Sequence, residues 1–153
     1  MPGPHDSPGF LLWRVTLQWQ RRIAAALRPL QLTHVQFVLL AAVWWLSDQA
    51  AVPSQLPSQR QVADHAATDV MMTSQVLRAL EIRGLVTRAL DPADGRVKRL
   101  TVTAAGRRLA ERAVAVVEAA DAEFFKPVEE PAHFIDELSQ LADEPSPGQP
   151  DDR

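Results

Sequence analysis

DPADGRVKRL, Asp91 to Leu100, carries turn formers at Asp91, Pro92, Asp94 and Gly95 and cations at Arg96, Lys98 and Arg99. It joins LVTRAL at 85–90 to VKRLTV at 97–102, two runs rich in β-branched residues. Two such runs around an Asp-Gly pair predict a β-hairpin, with Gly95 making its tip flexible. Standing alone, a charged tip of this kind is a solvated turn. What precedes it changes the reading.

Upstream, Ser58 with Gln61 has the spacing of a capping box and predicts a short helix from Gln59 to about Ala66. A turn at Ala67-Thr68 follows, and Thr68 or Asp69 can cap a second helix from Val70 to Arg83, ended by Gly84. Helix, tight turn and helix followed directly by a hairpin is the order of a winged helix-turn-helix. Projected at about 100° per residue, Met72, Thr73, Val76, Leu77 and Leu80 gather on one side of the second helix, and Met71, Ser74, Gln75 and Arg78 on the other. These outward groups suit DNA: Gln pairs with adenine, Arg with guanine or phosphate, Ser with phosphate or base, and Met touches a thymine methyl. In the hairpin, Arg96, Lys98 and Arg99 offer cations to phosphates or to a narrow minor groove.

Further out, Leu12, Val15, Trp19, Ile23, Leu27 and Leu30 make one helical stripe, ended near Pro29. Thr33 and Gln36 form a second capping-box pair, opening a helix to about Gln49 that is apolar almost all round and hence central. Beyond the hairpin, Thr103 caps a long helix from Ala104 to about Phe125, and Pro131 starts a last one to about Leu141. The expected class is mainly α with a small β-hairpin wing (α+β), a winged helix-turn-helix plus a helical region. The expected divisions are a flexible start at 1–9, N-terminal helices at 10–50, the winged region at 51–103, C-terminal helices at 104–142 and a disordered tail at 143–153.

The net charge of −3 argues at first against a polyanionic partner, but the charge is divided along the chain. Ser54 to Arg108 holds nine Lys/Arg against five Asp/Glu, and the remainder seven against fourteen. A local basic surface governs contact with phosphates. With no cysteine there is neither disulfide, thiolate nucleophile nor cysteine-based zinc site. MPGPHDSPGF lacks the basic flank and apolar core of a signal peptide, and the longest apolar run, Phe37 to Leu46, is too short to span a bilayer, so a cytoplasmic protein without a membrane partner is expected.

The segment from Leu32 to Leu109 resembles the MarR family of transcriptional regulators. The matching stretches are LTHVQFVLL, LPSQRQVADHA, TSQVLRALEIRGLVTR and DPADGRVKRLTVTAAGRRL, and the last is the most specific. The resemblance implies a homodimer held by the N- and C-terminal helices, with two recognition helices in successive major grooves of double-stranded DNA. It places the family's minor-groove wing arginine on Arg96, and on Asp94 the acid that orients it by an ion pair. There are departures: Gly95 stands where a second arginine is common, Met71 where a small hydroxyl residue is frequent, and Gln75 where an arginine is common. Base preference therefore does not carry over.

The family's members often bind a small aromatic or anionic effector between the helical region and the winged domain. Trp13, Trp19, His34, Trp44 and Trp45, with Arg14, Arg21 and Arg22, lie in the helices where such a pocket would form, although tryptophans at helical spacing serve first as core or interface. His5, His34, His65 and His133 have no carboxylate at metal-ligand spacing, and no metal or other cofactor is expected. No nucleophile has a neighbouring base and no glycine-rich phosphate loop is present, so no enzymatic activity is expected. The rival to DNA recognition is a winged module that binds proteins or small molecules without reading DNA, favoured by the overall acidity.

Overall fold

The computed structural model describes residue 3 and residues 6–142 of the chain, and five of the six described α-helices start at a capping side chain. Helix α1 spans Pro8–Leu27; the Ser7 hydroxyl accepts from the Phe10 N–H at 3.4 Å, and Pro8 takes a first-turn position where no N–H is needed. Helix α1 thus begins inside the flexible start expected at 1–9, because Ser7-Pro8 is itself a start signal; residues 1, 2, 4 and 5 lie outside the described residues. A 3-10 turn at Arg28–Leu30 follows, with Gln31 left-handed at φ 54°. Helix α2, His34–Asp48, opens on a reciprocal box in which Thr33 Oγ1 accepts from the Gln36 N–H at 3.2 Å and Gln36 Oε1 accepts from the Thr33 N–H at 3.1 Å. Helix α3, Gln59–His65, opens the same way on Ser58 and Gln61.

Helix α4 spans Val70–Ile82 and is capped by Asp69, whose carboxylate accepts from the Met72 N–H at 2.9 Å. Gly84 then turns the chain at φ 68°, a conformation glycine adopts without steric cost. Strands β1, Val86–Leu90, and β2, Lys98–Val102, pair antiparallel from Val86↔Val102 to Leu90↔Lys98. The segment before α3 lies along the other edge of β2, where the Leu100 N–H donates to Pro57 O at 2.9 Å. Helix α5, Ala104–Phe124, starts at Thr103, and α6 spans Pro131–Ala142. The tail expected at 143–153 lies outside the described residues.

Helix α2 runs through the centre. Its Leu39, Leu40 and Val43 are buried with Ile23 and Leu27 of α1, Val62 of α3, Leu77 and Leu80 of α4, Leu100 of β2 and Ala110 and Ala113 of α5. Alanines and Gly106 line the buried face of α5, so its backbone packs close. A Cβ on Gly106 would lie 1.9 Å from Leu85 O. At the same joint the Thr103 hydroxyl donates to Gly84 O at 2.7 Å, its N–H donates to Leu85 O at 3.0 Å, and its Oγ1 accepts from the Gly106 N–H at 2.9 Å. The Thr-x-x-Gly spacing is thus the weld between wing and long helix.

One part of the apolar pattern is left uncovered by the described residues. Phe10, Leu11, Leu12, Trp13 and Val15 at the start of α1, and Ile135, Leu138 and Leu141 of α6, are all exposed. Among the described residues, no single helix is long and apolar enough to cross a membrane.

Candidate nucleic-acid interface

Helix α4 separates its two faces much as its periodicity implies. Leu77 and Leu80 are buried, as is Thr73, whose hydroxyl is satisfied by Asp69 O at 2.7 Å and Thr68 Oγ1 at 2.8 Å. The inward stripe begins at Thr73, because Met72 is 40% exposed. On the opposite side Met71, Gln75 and Arg78 are exposed and Ser74 is half-buried. A polar and cationic surface therefore stands beside the hairpin.

The four wing residues differ in their commitments. Asp94 does not form an ion pair with Arg96; its Oδ1 accepts from the Arg96 backbone N–H at 3.0 Å, and Val97 N–H donates to Asp94 O at 3.0 Å. A short acidic side chain closing a turn on its own backbone accounts for the aspartate, and it fixes the backbone from which Arg96 projects. Among the described residues, the Arg96 guanidinium makes no hydrogen bond or ion pair, and Lys98 is exposed. Gly95 has no positive φ, and a Cβ there would meet nothing within 4 Å, so neither backbone nor space demands glycine at the tip.

Arg99 corrects the expectation that it approaches phosphates. Its guanidinium is held at 2.6 and 2.7 Å by Asp91 Oδ2 and donates to Leu56 O at 3.0 Å. Strand alternation is the reason, since Arg99 projects from the face opposite to Arg88 and Lys98. Asp91 is buried at 5% exposure, and its Oδ1 also accepts from the Ala93 N–H at 2.7 Å. That N–H first, and Arg99 second, hold its carboxyl below the usual carboxylate range, against the opposing effect of burial. A depressed native value stabilises the fold above the unfolded value near ~4, and the contribution is lost as pH falls through the native one. Asp91→Asn is therefore expected to lower the denaturant midpoint at neutral pH, with the gap to the parent protein closing below about pH 4. A gap that stayed constant with pH would remove Asp91 from this role.

The five residues considered for an effector pocket do not come together. Trp19 and His34 line a groove of about 530 Å³ with Gln20, Val35, Val38 and Thr68. Trp44 and Trp45 line a separate one of about 430 Å³, and Trp13 is exposed on the uncovered end of α1. Trp19 packs edge-on to His34 with ring centroids 5.0 Å apart, and its indole N–H donates to Asp121 Oδ1 at 2.7 Å. Burial pushes the His34 imidazole below its usual value, opposed by the charge of Asp121. The indole N–H is already used, so Trp19 offers a ligand its ring face. Trp44 likewise donates to Asp48, which Arg107 of α5 clamps through two nitrogens.

A helix-turn-helix whose second helix shows polar side chains beside a cationic hairpin defines a winged helix-turn-helix regulator that binds DNA to control transcription. The chain is 37% identical over 139 residues to the helix-turn-helix-type transcriptional regulator YdcH of Bacillus subtilis, covering 91% of this chain and 92% of that one. It resembles the solved structure of the MarR family protein Rv2887 of Mycobacterium tuberculosis at 38% identity, covering 89% and 97% of the two chains with a TM-score of 0.65. The chain belongs to the MarR family. CouR from Rhodococcus jostii RHA1 is also similar in structure, with a TM-score of 0.78, 31% identity and coverage of 95% and 98%. No family model matches the chain.

Proposed function

We propose that this regulator is a ligand-responsive, homodimeric repressor that binds a pseudo-palindromic operator, and that it reads bases with α4 and phosphates and minor groove with the hairpin. The observation that carries this is the joint exposure of Met71, Gln75 and Arg78 on α4 beside the ammonium of Lys98 and the guanidinium of Arg96, which is unpaired among the described residues. Two relatives support the two halves of the reading. Rv2887 has been crystallised with DNA and with salicylic acid, and CouR with p-coumaroyl-CoA. In this chain the groove of Trp19 and His34 is the candidate seat for a small aromatic or anionic effector.

The uncovered apolar ends of α1 and α6 supply the surface for a second copy. Pairing there sets two recognition helices one turn of DNA apart, about 34 to 36 Å. The regulator acts where the chromosome lies, which places its work in the cytoplasm.

The test is titration of the full chain against a random-sequence duplex and genome-selected fragments over a range of salt. Binding whose log affinity falls steeply with log salt, tighter on selected fragments, is expected. Absence of retention on any duplex at low salt would favour the winged module that does not read DNA. Gln75→Ala is expected to alter preference at one base-pair position, by about 1 to 3 kcal/mol, while leaving the salt slope unchanged.

A further inference from the structure

The hairpin's inner face continues past the core and meets the end of α4. The register pairs Arg88 with Leu100 and Leu90 with Lys98, so these four side chains share one face of the ribbon. Leu100 is fully buried, whereas Arg88 opposite it and Lys98, nearer the tip, border a notch of about 220 Å³ whose far wall is Arg78 and Glu81 of α4. Three cations and one carboxylate surround this small space.

Arg88 is held loosely for a residue so enclosed. Its side chain is 17% exposed, yet its Nε lies 3.6 Å from Glu81 Oε2, beyond hydrogen-bond distance, and has no hydrogen-bond partner among the described residues. Its Nη1 donates to Gln59 Oε1 at a stretched 3.4 Å. Arg99, by contrast, is locked at 2.6 to 3.0 Å by Asp91 and Leu56. A buried guanidinium N–H without an acceptor is costly, and a charge-assisted acceptor satisfies it best.

We propose that this notch is a phosphate seat of the DNA interface, in which Arg78, Arg88 and Lys98 hold one backbone phosphate between recognition helix and wing. Glu81 is the internal counter-ion that keeps Arg88 extended in the free protein and yields it when a phosphate arrives. The seat gives Arg78 a phosphate rather than a base, and it gives Arg88 the contact that Arg99 is too committed to make. The proposal rests on the DNA-binding reading above.

The experiment measures affinity of the full chain for a random-sequence duplex as a function of salt, for the parent protein, Arg88→Gln, Arg88→Lys and Glu81→Gln. One phosphate contact weighs about eightfold in affinity at 0.1 M salt and about one in the log-log slope. Arg88→Gln is expected to lose that much of both, Arg88→Lys to keep most of the slope, and Glu81→Gln to bind more tightly than the parent. If Arg88 and Glu81 merely brace the hairpin, loss of either leaves affinity unchanged or lowers it, so Glu81→Gln decides even where an Arg88 variant folds poorly. A parental slope in Arg88→Gln, or Glu81→Gln binding no tighter than the parent, overturns the seat while leaving the DNA-binding reading intact. A parent protein that fails to bind the duplex at all overturns both. Inorganic phosphate at matched ionic strength is expected not to compete; displacement by it would make the notch a site for the free anion and overturn its assignment to the DNA backbone.

Discussion

Gly106→Ala is expected to destabilise the protein by about 3 kcal/mol or more, the upper range for forcing an atom into a packed site. Helix propensity alone predicts the reverse, since alanine is better than glycine in a helix by about 1 kcal/mol. The clash wins because the added Cβ would stand 1.9 Å from Leu85 O and 2.8 Å from Leu85 C, and the obstacle is backbone. That carbonyl is pinned by the Thr103 N–H, and the Leu85 N–H is itself bound to Leu80 O at 3.0 Å. Relief requires α5 to lift away from β1, which breaks the Thr103 contacts and frees the hairpin. The change is read as a fall in the urea midpoint, with DNA affinity falling alongside. Gly84→Ala is the contrast, because its φ of 68° is strained for alanine but its surroundings are open, and a cost of about 1 kcal/mol is expected. Parental stability in Gly106→Ala would mean that wing and long helix are not welded at this point.

Arg96→Ala is expected to weaken DNA binding about tenfold or more near 0.1 M salt and to make the log-log salt slope shallower by about one. Its guanidinium makes no hydrogen bond or ion pair among the described residues, so its loss is expected to leave the denaturation midpoint where it was. Arg99→Ala is expected to behave in the opposite way, since this guanidinium ties β2 to Asp91 and to Leu56 O. Its midpoint falls, and once folded protein is matched the salt slope stays parental. The pair of variants separates a cation that touches DNA from one that holds the wing together. Unchanged affinity and slope in Arg96→Ala would sink the assignment of this loop to the DNA interface.

Most of the element order was legible because its punctuation is local. Thr33 with Gln36, Ser58 with Gln61, Asp69 and Thr103 each satisfy helix-end N–H groups within three residues, and such signals survive in a linear string. The start at Ser7-Pro8 was equally local but hidden by the proline-rich stretch around it. The wing was harder. Three cations within four residues look alike in sequence, yet Arg96 and Lys98 are exposed while Arg99 reaches Asp91, because strand pairing puts Lys98 and Arg99 on opposite faces of the ribbon. Arg88 carried no signal at all, since its neighbours Glu81 and Gln59 come from two other helices.

By itself the sequence determined the winged architecture, the outward face of α4 and the presence of a charged hairpin, through capping, periodicity and turn chemistry that act over a few residues. The tertiary structure decided which arginine holds the wing and which is free, why the Thr-x-x-Gly spacing requires glycine, and that the tryptophans divide between separate grooves. Those outcomes depend on contacts between residues far apart in the chain, and no local pattern encodes them.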